Sequence, residues 1–236
     1  SRLLVLLGVL FCAACAAPDP EPGTGISVST SSGVVSAESG PEGSLIFRDI
    51  PFAQPPEGAA RWAAPGRIET PEHVILSKPE PVMCPQPQSM ASGSAEGEYL
   101  GSEDCLYLDI YAPGESAVSG LPVMLWIHGG SNLTGHKGTY DFSRFAALEQ
   151  VVVVVINYRL GPFGWFVHPA LNGADLKTPP LANFGTLDMV EALRWTQRNI
   201  TLFGGDRDNV TIFGESAGGR NVFSLLASPV SEGLFH

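Results

Sequence analysis

Short apolar blocks separated by Gly, Pro and Asn clusters organise most of this chain. Residues 122–127 and 151–156 are nearly unbroken apolar runs, as expected of strands buried on both faces of a mostly parallel sheet. Over residues 103–113, Leu106, Leu108 and Ile110 alternate with Tyr107, Asp109 and Tyr111, which predicts a half-buried strand. Phe142, Phe145, Ala146 and Leu148 recur at helical spacing and predict a helix over 140–150. A longer amphipathic helix is predicted over 185–200 through Leu187, Val190 and Leu193. Residues 210–213 then read as a strand and 219–226 as a helix. Strand and helix alternate in order, the signature of an α/β fold. No internal repeat is evident.

The first third of the chain is less regular. Residues 26–29, 34–37 and 44–47 are β-prone pieces between Gly, Ser and Pro turns, predicting a small antiparallel entry sheet. From 51 to 88 prolines are dense and helical periodicity is absent. This stretch reads as ordered coil lying over the domain, anchored by Phe52, Trp62 and Ile68. Residues 90–101 are small, polar and acidic, as in a mobile surface loop.

At the start, Arg2 precedes an apolar run over 3–11, and Cys12-Ala13-Ala14-Cys15-Ala16-Ala17 follows. A basic start, a short apolar core and a small-residue exit read as a secretory signal over 1–17. The run is too short to span a bilayer. Two processing routes stay open. Small residues before Cys15 resemble a lipobox, which would make Cys15 the lipidated, membrane-anchored residue of an envelope lipoprotein. Cys12 stands where a lipobox usually has leucine. Ala14-Cys15-Ala16 instead offers a cleavage site for a freely secreted or periplasmic protein. Residues 18–25, rich in Pro and Gly, read as a tether, and 26–236 as the folded domain.

Either route leads to an oxidising compartment. Cys84 and Cys105 are then the two cysteines of the folded domain. A disulfide between them closes a loop of roughly 20 residues and stabilises by about 3 kcal/mol in the chain-entropy picture. Zinc is the rival, but two cysteines so far apart without clustered histidines make a poor site. The net charge of −11, with no Lys/Arg cluster, excludes a nucleic-acid backbone as partner.

The chemistry centres on Val210-Thr211-Ile212-Phe213-Gly214-Glu215-Ser216-Ala217-Gly218-Gly219. A strand, a Gly-x-Ser-x-Gly turn and a helix make a nucleophile elbow, which lifts the serine hydroxyl above the sheet on a strained bend. With 27 glycines in the chain, the pentapeptide alone is weak evidence, and its context carries the argument. A second stretch, Trp126-Ile127-His128-Gly129-Gly130-Ser131-Asn132, ends a buried strand. His-Gly-Gly there supplies inward backbone N–H groups for an oxyanion, each worth about 3 kcal/mol in a transition state. An ordinary Gly-Gly turn is the alternative. His128 precedes the serine and is expected to be structural. A serine nucleophile needs a histidine base oriented by a carboxylate. Downstream of Ser216 only Glu232 and His236 offer those groups, and both stand too close behind the elbow helix to fold back. The acid and the base are therefore expected beyond residue 236.

These stretches jointly resemble the N-terminal half of carboxylesterase type B proteins, the cholinesterase-like branch of the α/β-hydrolases, over residues 26–236. Phe203-Gly204-Gly205-Asp206-Arg207-Asp208-Asn209 leading into the elbow is similar to that family's serine signature. Residues 103–113 are similar to its second signature, whose cysteine pairs upstream and so supports Cys84–Cys105. Asp49-Ile50-Pro51-Phe52-Ala53 with Pro55-Pro56, Asn157-Tyr158-Arg159-Leu160-Gly161, and Asn183-Phe184-Gly185-Thr186-Leu187-Asp188 also resemble family segments.

The resemblance implies an α/β-hydrolase with a mostly parallel central sheet, helices on both faces and a small antiparallel N-terminal sheet. It implies Ser216 as nucleophile, Gly214 and Gly218 as elbow glycines, and Gly130, Ser131 and Ala217 as oxyanion donors. Ser131 stands where glycine is usual, so a side chain crowds that loop. Glu215 matches an acidic neighbour that tunes local electrostatics, with a solvated elbow residue as the alternative. The activity implied is hydrolysis of small carboxylic esters through an acyl-enzyme, without cofactor or metal. A non-catalytic cholinesterase-like adhesion protein and a lipase or peptidase of the same fold are the rival readings. Residues 228–236 resemble a segment leading into a further strand, which makes His236 a packing residue. The 236 residues alone are expected to be inactive.

Overall fold

A computed structural model of the chain describes residues 24–88, 98–114, 119–168, 170 and 182–236. The signal stretch, Cys15, the tether up to residue 23 and residues 90–97 of the expected loop lie outside the described residues. The chain opens with β1 (Ser27–Thr30), β2 (Gly33–Ser36), β3 (Glu38–Ser39), β4 (Leu45–Pro51) and β5 (Val74–Ile75). After β6 (Gln86–Pro87) and β7 (Tyr99–Leu100) come β8 (Tyr107–Ala112), β9 (Leu121–Ile127), α1 (Ser143–Glu149) and β10 (Val152–Ile156). The last part holds α2 (Gly161–Gly164), α3 (Phe184–Asn199), β11 (Gly205–Gly214) and α4 (Ala217–Ala227).

The central sheet has the order β11-β9-β10-β8-β4-β3. Its functional half, β11·β9 and β9·β10, is parallel, while β8 and β4 run antiparallel to their neighbours. The unbroken valine run of β10 is explained by burial on both sides. Val152, Val154 and Ile156 join the larger core with Leu125, Ile127, Met189 and Trp195. Val153 and Val155 face the second core with Trp126, Tyr111 and Ala146. Helices α3 and α4 lie on the first face and α1 on the second, the α/β architecture expected.

Several expectations are corrected. Of residues 44–47, Leu45 to Phe47 belong to β4 and pair with β8 in the central sheet, while β5 completes the small sheet parallel to β2. The Ile46 and Phe47 side chains face opposite cores, so this strand needs neighbours on both faces. Strand β8 is not half-buried, since Asp109 and Tyr111 are as inaccessible as Leu108 and Ile110. Its polar face is covered by α1 and by Lys137, whose ammonium lies 2.6 Å from Asp109 and 2.7 Å from Asp49. Helix α1 is shorter than predicted, and only Phe142 and Ala146 turn to the sheet, leaving Phe145 and Leu148 exposed. Helix α3 is buried nearly all round, because the β1–β2 turn, α2 and α4 pack where a solvated face was expected; Leu187 is only half-buried. Trp195 donates to Ser32 Oγ at 2.8 Å and ties α3 to the β1–β2 turn.

The proline-rich coil is ordered as expected, with Phe52 fully buried and Trp62 donating to the Pro162 carbonyl at 2.8 Å. Cys84 and Cys105 form the disulfide, both buried, with Cα atoms 5.0 Å apart. Side-chain amides hold this coil to the sheet. Asn157, just past β10, donates to the Val82 and Cys105 carbonyls and accepts from the Lys137 N–H.

The most deeply buried ion pair joins Arg159 to Asp188 on α3. Two parallel N–H···O bonds of 2.8 and 2.7 Å are supplemented by the Arg159 backbone N–H at 3.0 Å. Desolvation pushes the Asp188 carboxyl upward in pKa and the guanidinium opposes it. Removing one partner strands the other charge in the core, which costs about 3–5 kcal/mol. Asp188→Ala is therefore expected to lower the urea-unfolding free energy by that amount. Arg194→Ala, which removes a largely exposed partner of Glu191, is expected to cost less than about 1 kcal/mol.

Candidate active site

Strand β11 ends at Gly214 and α4 begins at Ala217, so the reversal is made by Glu215 and Ser216 alone. Ser216 adopts φ 54° and ψ −114°, a conformation that L-residues avoid. Such a backbone costs on the order of 1–3 kcal/mol and persists only where its surroundings enforce it. The surroundings do so here. A methyl group on Gly218 would overlap the Ile127 carbonyl, and one on Gly214 would come within 2.7 Å of that same oxygen. Both elbow glycines are thus required by close approach to the end of β9. Glu215 O accepts from Gly218 N–H at 2.7 Å and closes the turn. Ser216 and Glu215 are solvent-exposed, and Ala217, first residue of α4, is buried. An N–H at a helix start has no carbonyl behind it and points at whatever lies before the helix.

The loop after β9 lies against this turn. A methyl on Gly129 would sit 3.1 Å from Ser216 Cβ and 2.9 Å from the Glu215 carbonyl. Gly130, Ser131 and Asn132 then follow in the left-handed region, at φ 93°, 59° and 59°. The Gly130 carbonyl accepts from Leu133 and Thr134 N–H at 2.9 and 3.0 Å, which closes the loop into a tight coil. Ser131 takes this conformation without being glycine, and its side chain is exposed. The expected oxyanion residues Gly130, Ser131 and Ala217 are therefore brought to one end of β9 and β11 with Ser216.

Side chains that sequence reasoning missed hold the loop. Asn221, one turn into α4, donates to Asn132 Oδ1 at 2.9 Å, and Asn132 Nδ2 faces Asn221 Oδ1 at 3.4 Å. Tyr158 donates to the His128 carbonyl at 2.7 Å and reaches Asn132 Oδ1 at 3.3 Å. Gln86 binds both the N–H and the carbonyl of Gly135, at 2.8 and 3.0 Å. Tyr158 lay inside a segment already singled out. Asn221 and Gln86 carried no spacing signal of their own.

His128 is structural in its surroundings. Its ring stacks on Tyr158 with centroids 4.4 Å apart, and Nδ1 lies 2.8 Å from the Gly129 carbonyl. Burial lowers its pKa to about 4. His236 hydrogen-bonds to Val210, through its N–H to the carbonyl at 2.8 Å. Four residues of strand from Val210 to Gly214, at roughly 3.3 Å each, place that position about 13 Å down the strand from the elbow. Glu232 is exposed and follows Ser231, whose hydroxyl donates to the Leu225 carbonyl near the far end of α4. Neither of these downstream groups approaches the serine. No group of His, Cys, Asp and Glu suited to a metal occurs among the described residues.

Comparisons with known proteins converge on one family. The family model described as "Carboxylesterase family" matches residues 26–236. The chain is 48% identical over 206 residues to cocaine esterase of Homo sapiens, covering 82% of this chain and 35% of that protein. It is 44% identical over 191 residues to para-nitrobenzyl esterase of Bacillus subtilis (strain 168), covering 80% and 38%. A solved structure of a thermophilic pNB esterase superposes with a TM-score of 0.77 at 42% identity, over 89% of this chain and 42% of that one. The Geobacillus stearothermophilus carboxylesterase gives a TM-score of 0.73 at 38% identity. The chain thus spans roughly two fifths of the length of these relatives.

The buried imidazole makes stability pH-dependent. Its folded pKa, about 4, lies below the ordinary 6.5, so the unfolded chain binds the extra proton. This contribution is complete above about pH 6.5 and is lost as pH falls toward 4, reaching roughly 3 kcal/mol. Unfolding free energies measured from pH 7 to pH 4 should show that decline. His128→Gln is expected to flatten it.

Proposed function

The chain belongs to the carboxylesterase family, and from that premise we propose that it carries the nucleophile and oxyanion hole of a serine-dependent carboxylic-ester hydrolase. The observation that carries this reading is Ser216 itself, strained at φ 54° and packed against Gly129 at the ends of adjacent parallel strands. In the proposed reaction the Ser216 hydroxyl attacks the carbonyl carbon of a small-molecule ester. The N–H groups of Gly130, Ser131 and Ala217 stabilise the resulting oxyanion, and the alkoxide leaves as the tetrahedral carbon collapses to an acyl-enzyme. Water then releases the acid and restores the hydroxyl. A histidine and a carboxylate beyond residue 236 move the protons, since neither His236 nor Glu232 reaches the serine. Glu215 contributes negative charge beside the nucleophile. The reaction needs no cofactor.

The buried disulfide supports a further reading, that the protein is exported to an oxidising compartment. Whether Cys15 carries lipid or is cleaved away distinguishes an envelope lipoprotein from a freely secreted enzyme, and mass spectrometry of the mature N-terminus decides it.

The test of the hydrolase reading is made on the full-length protein with p-nitrophenyl acetate. Ser216→Ala is expected to reduce kcat by about 10³-fold or more, leaving only residual oxyanion-hole rate enhancement. An organophosphate should label Ser216 stoichiometrically in the full-length protein. The 236-residue chain alone should show neither turnover nor a labelling burst. Undiminished hydrolysis by Ser216→Ala would remove the reading.

A further inference from the structure

The oxyanion loop poses a positional problem. Gly130, Ser131 and Asn132 are consecutive left-handed residues, and two of them are not glycine. A Cβ disfavours that region, more for serine than for asparagine, so local preference alone does not fix the shape at Ser131. The Leu133 and Thr134 N–H groups close the coil on the Gly130 carbonyl, but Ser131 and Leu133 are exposed, so placing the coil against α4 falls to the side chains that reach it. A loop that relaxed by even one residue would turn N–H groups away from Ser216.

We propose that Asn132 and Asn221 form a positioning latch that fixes the oxyanion loop relative to the helix carrying Ser216. The inference rests on the hydrolase reading given above. The two amides face each other reciprocally, Asn221 Nδ2 to Asn132 Oδ1 at 2.9 Å and Asn132 Nδ2 to Asn221 Oδ1 at 3.4 Å. Asn221 is buried and lies on α4 four residues past Ala217, one helical turn behind the third oxyanion donor. Asn132 directly follows Ser131, the second donor. One side-chain pair therefore spans the gap between the two backbone segments that must converge on a single oxygen. The Asn132 backbone is tied as well, its carbonyl accepting from Gly161 N–H at 2.6 Å. Tyr158 completes the arrangement by bridging the His128 carbonyl, before the loop, to Asn132 Oδ1, within it.

The residues are neutral amides, and that suits the place. A carboxylate here would add negative charge near the proposed oxyanion. An amide pair supplies one donor and one acceptor on each side with no net charge. Neither residue touches the reacting atoms, so both act by placement. Misplacing an oxyanion donor by about 1 Å costs on the order of 100-fold in rate.

The experiment uses the full-length protein and compares Ser216→Ala, Asn132→Ala, Asn221→Ala and the double Asn132→Ala/Asn221→Ala. Asn132→Gly is added because glycine accepts the left-handed backbone freely and so guards against a folding failure. Each variant is checked by circular dichroism. The readouts are kcat and KM for p-nitrophenyl acetate and the affinity of a trifluoromethyl ketone, whose tetrahedral adduct occupies the oxyanion hole. The latch predicts a fall in kcat of about 10- to 100-fold in each single variant, including Asn132→Gly, with KM within about twofold. Ketone affinity should fall in parallel, and the double variant should be no worse than the poorer single one. Loss of ester hydrolysis in Ser216→Ala with unchanged kcat and ketone affinity in the asparagine variants would overturn the latch alone. Independent, multiplicative losses in the double variant would also overturn it. Retained hydrolysis by Ser216→Ala would bring down the hydrolase reading, and the latch with it.

Discussion

The ends of β9 and β11 approach each other more closely than side chains allow. Gly214 pairs in register with Ile127, and Gly218, one turn later, lies against the same carbonyl. Two chain reversals, one after each strand, are thereby forced into backbone contact. From this follow the glycines at 129, 214 and 218, the strained serine between the last two, and the burial of Ala217. At Gly129, where the His-Gly-Gly loop begins, its placement beside the serine is set by main chain against main chain. Such contacts cannot be relieved by a rotamer change, which is why the geometry is held at a strained residue.

The rest of the described structure holds that contact in place from behind. Beneath the elbow, α3 is buried nearly all round, with Asp188 paired to Arg159, two residues past Asn157. At the far end of the oxyanion loop, Gln86 takes both backbone groups of Gly135, and the next turn begins at Lys137, buried between Asp49 and Asp109. Gln86 and Val82 belong to the coil that the Cys84–Cys105 disulfide pins to the sheet. A segment with little regular structure thus reaches the loop through polar side chains. Buried backbone groups left unpaired by the lack of secondary structure find partners in Asn157 and Gln86. Coil and loop are therefore one connected structure, and the coil's order is a condition of the loop's shape.

How much of this was readable from the residues differs by element. Continuous apolar runs located β9 and β10, and the strand–turn–helix order located Ser216, because both signals are local. Strand β4 was misplaced, since its partner β8 is some 60 residues away and nothing within 44–47 says which sheet it joins. Asp109 and Tyr111 were read as outward-facing because alternation reports chemistry, whereas their burial depends on Lys137 and α1 arriving from elsewhere. Phe145 and Leu148 failed for the opposite reason: a seven-residue helix touches the sheet through one narrow edge. The site was legible in its backbone chemistry and illegible in its supports. Asn221 and Gln86 act through contacts 89 and 49 residues distant, and no periodicity encodes those.

Geometry and dielectric environment are separable parts of an oxyanion hole such as the one proposed. The proposed donors and the serine share one end of the sheet, but Ser216, Glu215 and Ser131 are open to solvent. Charges about 4 Å apart interact by roughly 1 kcal/mol in water and about 4 kcal/mol at the effective dielectric of a protein surface. The same backbone N–H groups are therefore worth several-fold less while water reaches them. The negative charge of Glu215 follows the same arithmetic and influences the serine little until solvent is excluded. The strain at Ser216 is already in place, and the energetic return on it depends on enclosure by a part of the fold other than these two loops.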